Sequence, residues 1–373
     1  MPAILTHYIA GQAVLNSLAP QISRKIRPCE QLYNLGTQGP DIFFYYIPGA
    51  MRKHTRGIGS YMHQNDLGHF LVQMAQQAKA AGPLVDTAAS GRMRALPVVE
   101  FGSLPRRQDS QSTEEPFQES DDYPDSGHIP AEDAKAKPDF DAQDAIFAYT
   151  AGFIMHYAVD SRTHPYVYAK TEKPGASKIE NSTCHHDFEA AIDIAMLMRH
   201  SGKKPADCKL WQLINADPAQ RTAASGAVSA AIDGVYGRTV SQKEVRKAMG
   251  CMVQIVRLIQ SRKGRRKKIM GAAERLFLGH PLNASIIHDQ DIDSGTDYLN
   301  EENQPWQAPW ENTDSTGSFL DLYQAAVDEG LEIVQALYDY VYGSLPIETL
   351  QAKLGNRSLK TGRECSPPCE PSQ

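Results

Sequence analysis

The chain is poor in cysteine and tryptophan, and it has no long apolar run. Six cysteines and three tryptophans are spread over 373 residues. The cysteines, at 29, 184, 208, 251, 365 and 369, are too scattered for a disulfide-stapled scaffold. Cys365 and Cys369 flank Ser-Pro-Pro near the end. With no second pair nearby, they are not read as a zinc clip. No stretch approaches the roughly 18–20 apolar residues that cross a bilayer. The opening residues, Met-Pro-Ala-Ile-Leu-Thr-His, lack the charged start, apolar run and cleavage site of a secretory leader. The expected compartment is therefore the cytoplasm. Positive charge is not in excess either: the net charge is −6 with histidine neutral. That argues against nucleic acid binding through overall charge and leaves room for bound cations. What is present is 41% hydrophobic residues, enough for a substantial core in one or two domains.

Most long segments carry apolar residues at helical spacing. The pattern predicts helices over 67–81, 141–164, 186–200, 219–235, 241–261, 265–278 and 317–342. Segment 141–164 is too apolar for a surface helix, so it is placed in the core and expected to end before Pro165. Alternating strand runs are scarce, and the expected fold class is all-α. Three stretches break the pattern. Residues 103–139 are rich in Pro, Ser, Asp, Glu and Gln and read as a surface insertion. Residues 288–316 read as a long loop pinned by Trp306 and Trp310. Residues 355–373 are expected to fray. The domain reading is one helical unit over 1–345 followed by a tail, 346–373.

The strongest local signal is His156-Tyr-Ala-Val-Asp160-Ser-Arg-Thr-His164. Spacing of i, i+4 and i+8 stacks the three ligand-type side chains on one helix face, about 6 Å apart in rise. Imidazole and carboxylate are donors that Zn²⁺ takes, and a central Asp has two oxygens to share between ions above and below. Ionisable groups on an apolar helix are costly without a partner. The plain alternative is a hydrogen-bonded polar stripe at a helix end. A second signal is Cys184-His185-His186-Asp187-Phe188-Glu189, where His185 and Glu189 again stand at i, i+4. His186 and Asp193 compete with them as ligands, although His186 falls on a different face from Glu189. Three single residues join these. They are His7, Asp41 at the end of the Gly39-Pro40 turn, and His63 in Gly59-Ser-Tyr-Met-His63. Alone, Asp41 reads as a helix cap and the two histidines as satisfied core or surface groups. His54, His69, His128, His200, His280 and His288 have no comparable context.

Taken in order, these pieces resemble the zinc-dependent phospholipase C family, whose wider superfamily includes the S1/P1-type nucleases. The ordered set is His7, Gly39-Pro40-Asp41, Met62-His63, His156-xxx-Asp160-xxx-His164 and His185-xxx-Glu189. Leu299-Asn-Glu-Glu-Asn-Gln-Pro-Trp306, followed by Ser318-Phe319, is similar to the later part of bacterial members. The resemblance spans about residues 5–345. It implies a single multi-helix domain of phospholipase C/P1 nuclease type with up to three zinc ions in a cleft. Asp41, His63, His156 and Asp160 would bind one ion of a close pair. Asp160 would bridge to the other, which His7 also holds. His164, His185 and Glu189 would hold the third. Two features depart from the pattern: no Trp lies near His7, and the step from Asp160 to His164 is two residues shorter than in the secreted phospholipases.

The chemistry expected is water-driven, in-line attack on the phosphorus of a phosphoric ester. Asp41 is the candidate catalytic residue, as ligand or as acceptor of the water's proton. The expected partner is a phospholipid or other phosphate ester. A nuclease or nucleotidase is the alternative, with Phe43, Phe44, Tyr45 and Tyr46 as candidate stacking platforms. A third reading is a non-catalytic, metal-stabilised helical scaffold. The basic run Arg262-Lys263-Gly264-Arg265-Arg266-Lys267-Lys268 reads as a solvated helix face or as a peripheral contact with anionic membrane or a phosphate backbone.

Overall fold

The computed structural model describes residues 4–46, 52–82, 140–259, 292–293 and 295–365. The expected insertion at 103–139, the helix over 265–278 and the basic run 262–268 lie outside the described residues. All regular elements among the described residues are helices, joined by two isolated bridges, Trp306–Ser315 and Arg357–Glu364. The fold is all-α. No described helix is long and apolar enough to cross a membrane.

In chain order the helices are α1 (Ile4–Ser17), α2 (Pro20–Ile26), α3 (Glu30–Gly36), α4 (Arg52–Met62), α5 (Leu67–Ala80) and α6 (Ala142–Thr171). They continue with α7 (Lys178–Ser201), α8 (Leu210–Leu213), α9 (Pro218–Tyr236), α10 (Gln242–Ile259), α11 (Phe319–Val341) and α12 (Ile347–Leu354). A 3₁₀ turn, Gly39–Tyr45, sits between α3 and α4. The N-termini of α6, α7, α9 and α11 carry side-chain caps that satisfy orphan N–H groups. Asp141 accepts from Gln143 N at 2.9 Å to start α6. Ser177 with Glu180 and Ser318 with Asp321 form capping boxes at α7 and α11. Gly202 and Gly237, both at positive φ, end α7 and α9.

α6 is the axis of the molecule. Of its 30 residues 23 are buried, which is why its sequence lacks a polar face. It packs against α3, α5 and α11, with α1, α2, α7 and α9 completing the ring. α3 crosses it at glycine: a Cβ on Gly36 would lie 2.3 Å from Tyr149 O, and one on Gly152 would lie 2.1 Å from Tyr33 O. Two bare backbones therefore touch, and the loop following α3 is brought onto the polar stripe of α6.

Three expectations change. α6 does not stop before Pro165 but runs through it to Thr171. The tail does not fray at 355: α12 and the strap 355–365 pack on the same core, with Leu350, Leu354 and Leu359 buried. The short helices of the first 62 residues add to the expected set; their apolar residues follow no clear helical period. The 295–317 loop does carry its tryptophan pins. Trp306 Nε1 donates to Gly317 O at 2.9 Å and its ring stands edge-on to Tyr166, 5.4 Å between centroids.

Candidate metal centre

His7 lies in the first turn of α1, and the start of that helix is held by α7. The buried Asp193 carboxylate accepts from Leu5 N at 3.0 Å, Thr6 N at 2.8 Å and Thr6 Oγ1 at 2.6 Å. It meets the orphan donors and the positive end of the helix dipole. Asp193 is thus a cap that positions His7, which resolves its competition with Glu189 as a ligand. Asp41 lies in the 3₁₀ turn. Gly39 at its start has φ +51°, and a Cβ there would lie 2.4 Å from the His156 ring. Only glycine lets the turn rest on that imidazole. The turn presents Asp41 inward rather than as a helix cap: its Oδ1 is 3.1 Å from His63 Nε2.

The eight expected side chains converge as three buried or half-buried sets: His7, His156 and Asp160; Asp41, His63 and His156; and His164, His185 and Glu189. Within each set the donor atoms lie within 4.8 Å of one another. His156 belongs to two sets. Asp160 presents Oδ1 to His7 Nε2 at 3.1 Å and to His164 Nε2 at 3.7 Å, and Oδ2 to His156 Nε2 at 3.0 Å. Glu189 Oε1 stands 3.2 Å from both His164 Nε2 and His185 Nε2.

The rings are aimed by backbone carbonyls. His63 Nδ1 faces Gly59 O at 2.7 Å, His156 Nδ1 faces Thr37 O at 3.2 Å, and His164 Nδ1 faces Leu359 O at 2.7 Å. A carbonyl only accepts, so each Nδ1 carries a hydrogen, and in the neutral form of each ring the Nε2 lone pair is turned toward carboxylate oxygens. Lone pair against lone pair is repulsive unless a cation lies between them. Asp41 Oδ1 and His156 Nε2 are buried with no aligned hydrogen-bond partner. Donor atoms around tetrahedral zinc, at 2.0–2.1 Å from it, stand about 3.3 Å apart. The observed separations of 3.0–3.2 Å suit co-ligands, and the donor set of nitrogen and carboxylate oxygen suits zinc. The residues fit the metal.

Without metal, protons fill the same role. Burial opposes ionisation of Asp160 and Glu189. The histidines around them outweigh it and hold both carboxyls well below the usual range. Burial likewise works against the Asp41 carboxylate, yet His63 keeps its pKa lowered. Burial pulls His164 down, but Asp160 and Glu189 raise it to about 9. Burial drives His156 and His185 the other way, below the usual imidazole value. Carboxylates buried this deeply are tolerated only with positive partners.

His186 stands outside the three sets, and burial lowers it to about 3. Of the aromatic run, Phe43, Tyr45 and Tyr46 are core. Phe44 alone is half-buried, with its ring 5.3 Å from that of His63. The strap 355–365 had no signal in the sequence. Its Leu359 carbonyl aims His164, and Lys360 N and Ser358 Oγ both donate to His63 O at 3.2 Å. Compared with protein-family models, with curated proteins and with solved structures, this chain matches none.

Proposed function

We propose that the chain is a zinc-dependent hydrolase of phosphoric esters, of the phospholipase C type. One observation carries the reading. Eight donors scattered from residue 7 to residue 189, on five different elements, meet as three adjoining sets: the third has the members that the resemblance implies, and the first two are joined through His156 rather than Asp160. A structural metal site has a closed ligand shell. Here the sets have three protein donors each and two of them share His156, the economy expected of ions that also bind substrate. When bound, such ions supply Lewis-acid polarisation of phosphoryl oxygens and make water acidic near neutral pH.

The chain's own residues do the rest. Asp160, with one oxygen toward His7 and the other toward His156, ties the first set together, and His156 joins it to the second. Asp41 stays ionised, and its Oδ1 is free of an aligned hydrogen bond, so it is placed to accept a proton from an attacking water. The backbone carbonyls of Thr37, Gly59 and Leu359 hold three imidazoles in one tautomer, which preorganises the donors.

The test is elemental analysis of the purified chain, followed by hydrolysis of anionic and zwitterionic phospholipid micelles and of single-stranded DNA. Two to three zinc ions per chain and phospholipid hydrolysis are expected. Asp160→Asn should lose metal from the first set and about a hundredfold in rate. Absence of stoichiometric transition metal would sink the proposal. Hydrolysis of DNA alone would move it to the nuclease reading, which Phe44 beside His63 favours. Full metal with no hydrolysis would leave a scaffold.

A further inference from the structure

The third set has a distinct rim. The Tyr168 ring lies against the imidazole of His185, with centroids 4.7 Å apart, and 5.9 Å from that of His164. Trp310 stands edge-on to the same tyrosine at 5.3 Å, and its indole Nε1–H is buried without an acceptor. Two rings and a donor beside the third ligand set are the chemistry that recognises a small polar headgroup. An open aromatic face of this kind attracts quaternary ammonium groups through the ring quadrupole.

That face is already taken. The strap places the Lys360 ammonium over the Tyr168 ring, 4.9 Å from its centroid. The backbone on either side fixes the residue: Leu359 O holds His164, and Lys360 N donates to His63 O at 3.2 Å. Among the described residues no carboxylate pairs with this ammonium. The neighbouring Arg363 is spent on Glu311 and the Trp310 carbonyl. An unpaired ammonium half-buried against aromatic surface keeps most of its field for whatever enters beside it.

We propose that Lys360 is a specificity-determining residue, which contacts an anionic group of the substrate at the rim of the third ligand set and excludes cationic headgroups such as choline. Resting on the hydrolase reading above, this names the substrate class: phosphoric esters whose headgroup is anionic or uncharged.

The experiment compares the zinc-loaded full chain with Lys360→Met, Lys360→Arg and Lys360→Glu, zinc content being measured for each. Substrates are phosphatidylglycerol and phosphatidylcholine in mixed micelles. Loss of one charged contact is worth about tenfold. Lys360→Met is therefore expected to lose about that factor in kcat/KM on phosphatidylglycerol, mainly through KM, and to gain on phosphatidylcholine. Lys360→Arg should restore the preference and Lys360→Glu should invert it. An equal loss on both lipids, or an unchanged ratio in Lys360→Glu, overturns the assignment. A second readout separates this failure from that of the hydrolase reading. Inorganic phosphate binding is titrated calorimetrically into zinc-loaded wild type and Lys360→Met. About tenfold weaker binding in the variant supports Lys360 even if neither lipid is cleaved. Equal affinity, or binding by neither protein, overturns it.

Discussion

A buried histidine between two carboxylates holds a cation of one kind or another. His164 faces Asp160 from its own helix, Glu189 and His185 from α7, the Leu359 carbonyl from the strap, and the Tyr168 ring one turn on. Its folded pKa of about 9 stands above the ordinary 6.5. A group raised in this way stabilises the fold fully below its unfolded value, and that contribution is lost as the pH rises through the folded one. The metal-free chain is therefore expected to lose thermal stability between about pH 6.5 and pH 9. A zinc ion bound at this set would take the Nε2 lone pair in place of the proton, so the zinc-loaded chain should not share this decline. Melting curves in chelator and in zinc, from acid to alkaline pH, check it. Parallel declines would show that His164 does not exchange a proton for metal. The stripe of His156, Asp160 and His164 was legible in the sequence, because a helix converts i, i+4 spacing directly into proximity. His7, Asp41 and His63 have no such local grammar, and only their order relative to the stripe pointed to them. The cap made by Asp193 was not legible, since it spans 187 positions to Thr6.

At the scale of elements, α6 and the strap must be considered together. Proline inside a helix removes one hydrogen bond and costs about 3 kcal/mol. The sequence therefore reads as a stop at Pro165, yet the helix continues. Beyond it Tyr166 is fully buried, packs on Phe188, Trp306 and Phe319, and donates its hydroxyl to Tyr298 O at 2.8 Å. Burial of such a ring recovers a comparable energy, about 1.5–3 kcal/mol. Proline also leaves the Ser161 carbonyl, four residues back, without its helical donor. The strap uses that gap. Gly362, at φ +68°, lies so close that a Cβ would stand 2.3 Å from Ser161 O and 3.4 Å from Pro165 Cγ. Gly362→Ala is therefore expected to lift the strap from α6. It should cost about 1–3 kcal/mol through overpacking and the left-handed backbone. Because Leu359 O goes with it, zinc should fall by one ion per chain while the first two sets stay filled. Elemental analysis beside a denaturant titration reads both numbers, and a full zinc complement in a destabilised variant would separate the strap from the site. Nothing in the composition of 355–365 announces this role. It acts through backbone carbonyls and one glycine, which carry no periodicity.

For the whole molecule, the ligand sets are a cross-link between distant parts of the chain. α1, the 3₁₀ turn, the end of α4, α6 and α7 each supply at least one donor, and α1 is held at the centre by docking on α6, α7 and α11. Donors so far apart in sequence are not gathered in the unfolded chain, so the free energy of binding metal is also free energy of folding. One ion held at a thousandfold excess over its Kd contributes about 4 kcal/mol. For a chain this long that corresponds to about 5 °C in Tm per ion, or at least about 10 °C for two or three. Net stabilities are only about 5–15 kcal/mol, so two or three ions rival the whole margin. Chelation is therefore expected to lower Tm by at least about 10 °C, and to do so as one cooperative transition, because all described helices share one core. Added zinc should restore it. Protons on His7 and His164 substitute in part, which makes the loss smaller at pH 6 than at pH 8. Calorimetry at both values decides between two pictures of the same residues. A drop that is large and greater at alkaline pH means that the sets are built for metal. An unchanged Tm means that the eight side chains form a proton-linked polar network, and the hydrolase proposal loses its foundation.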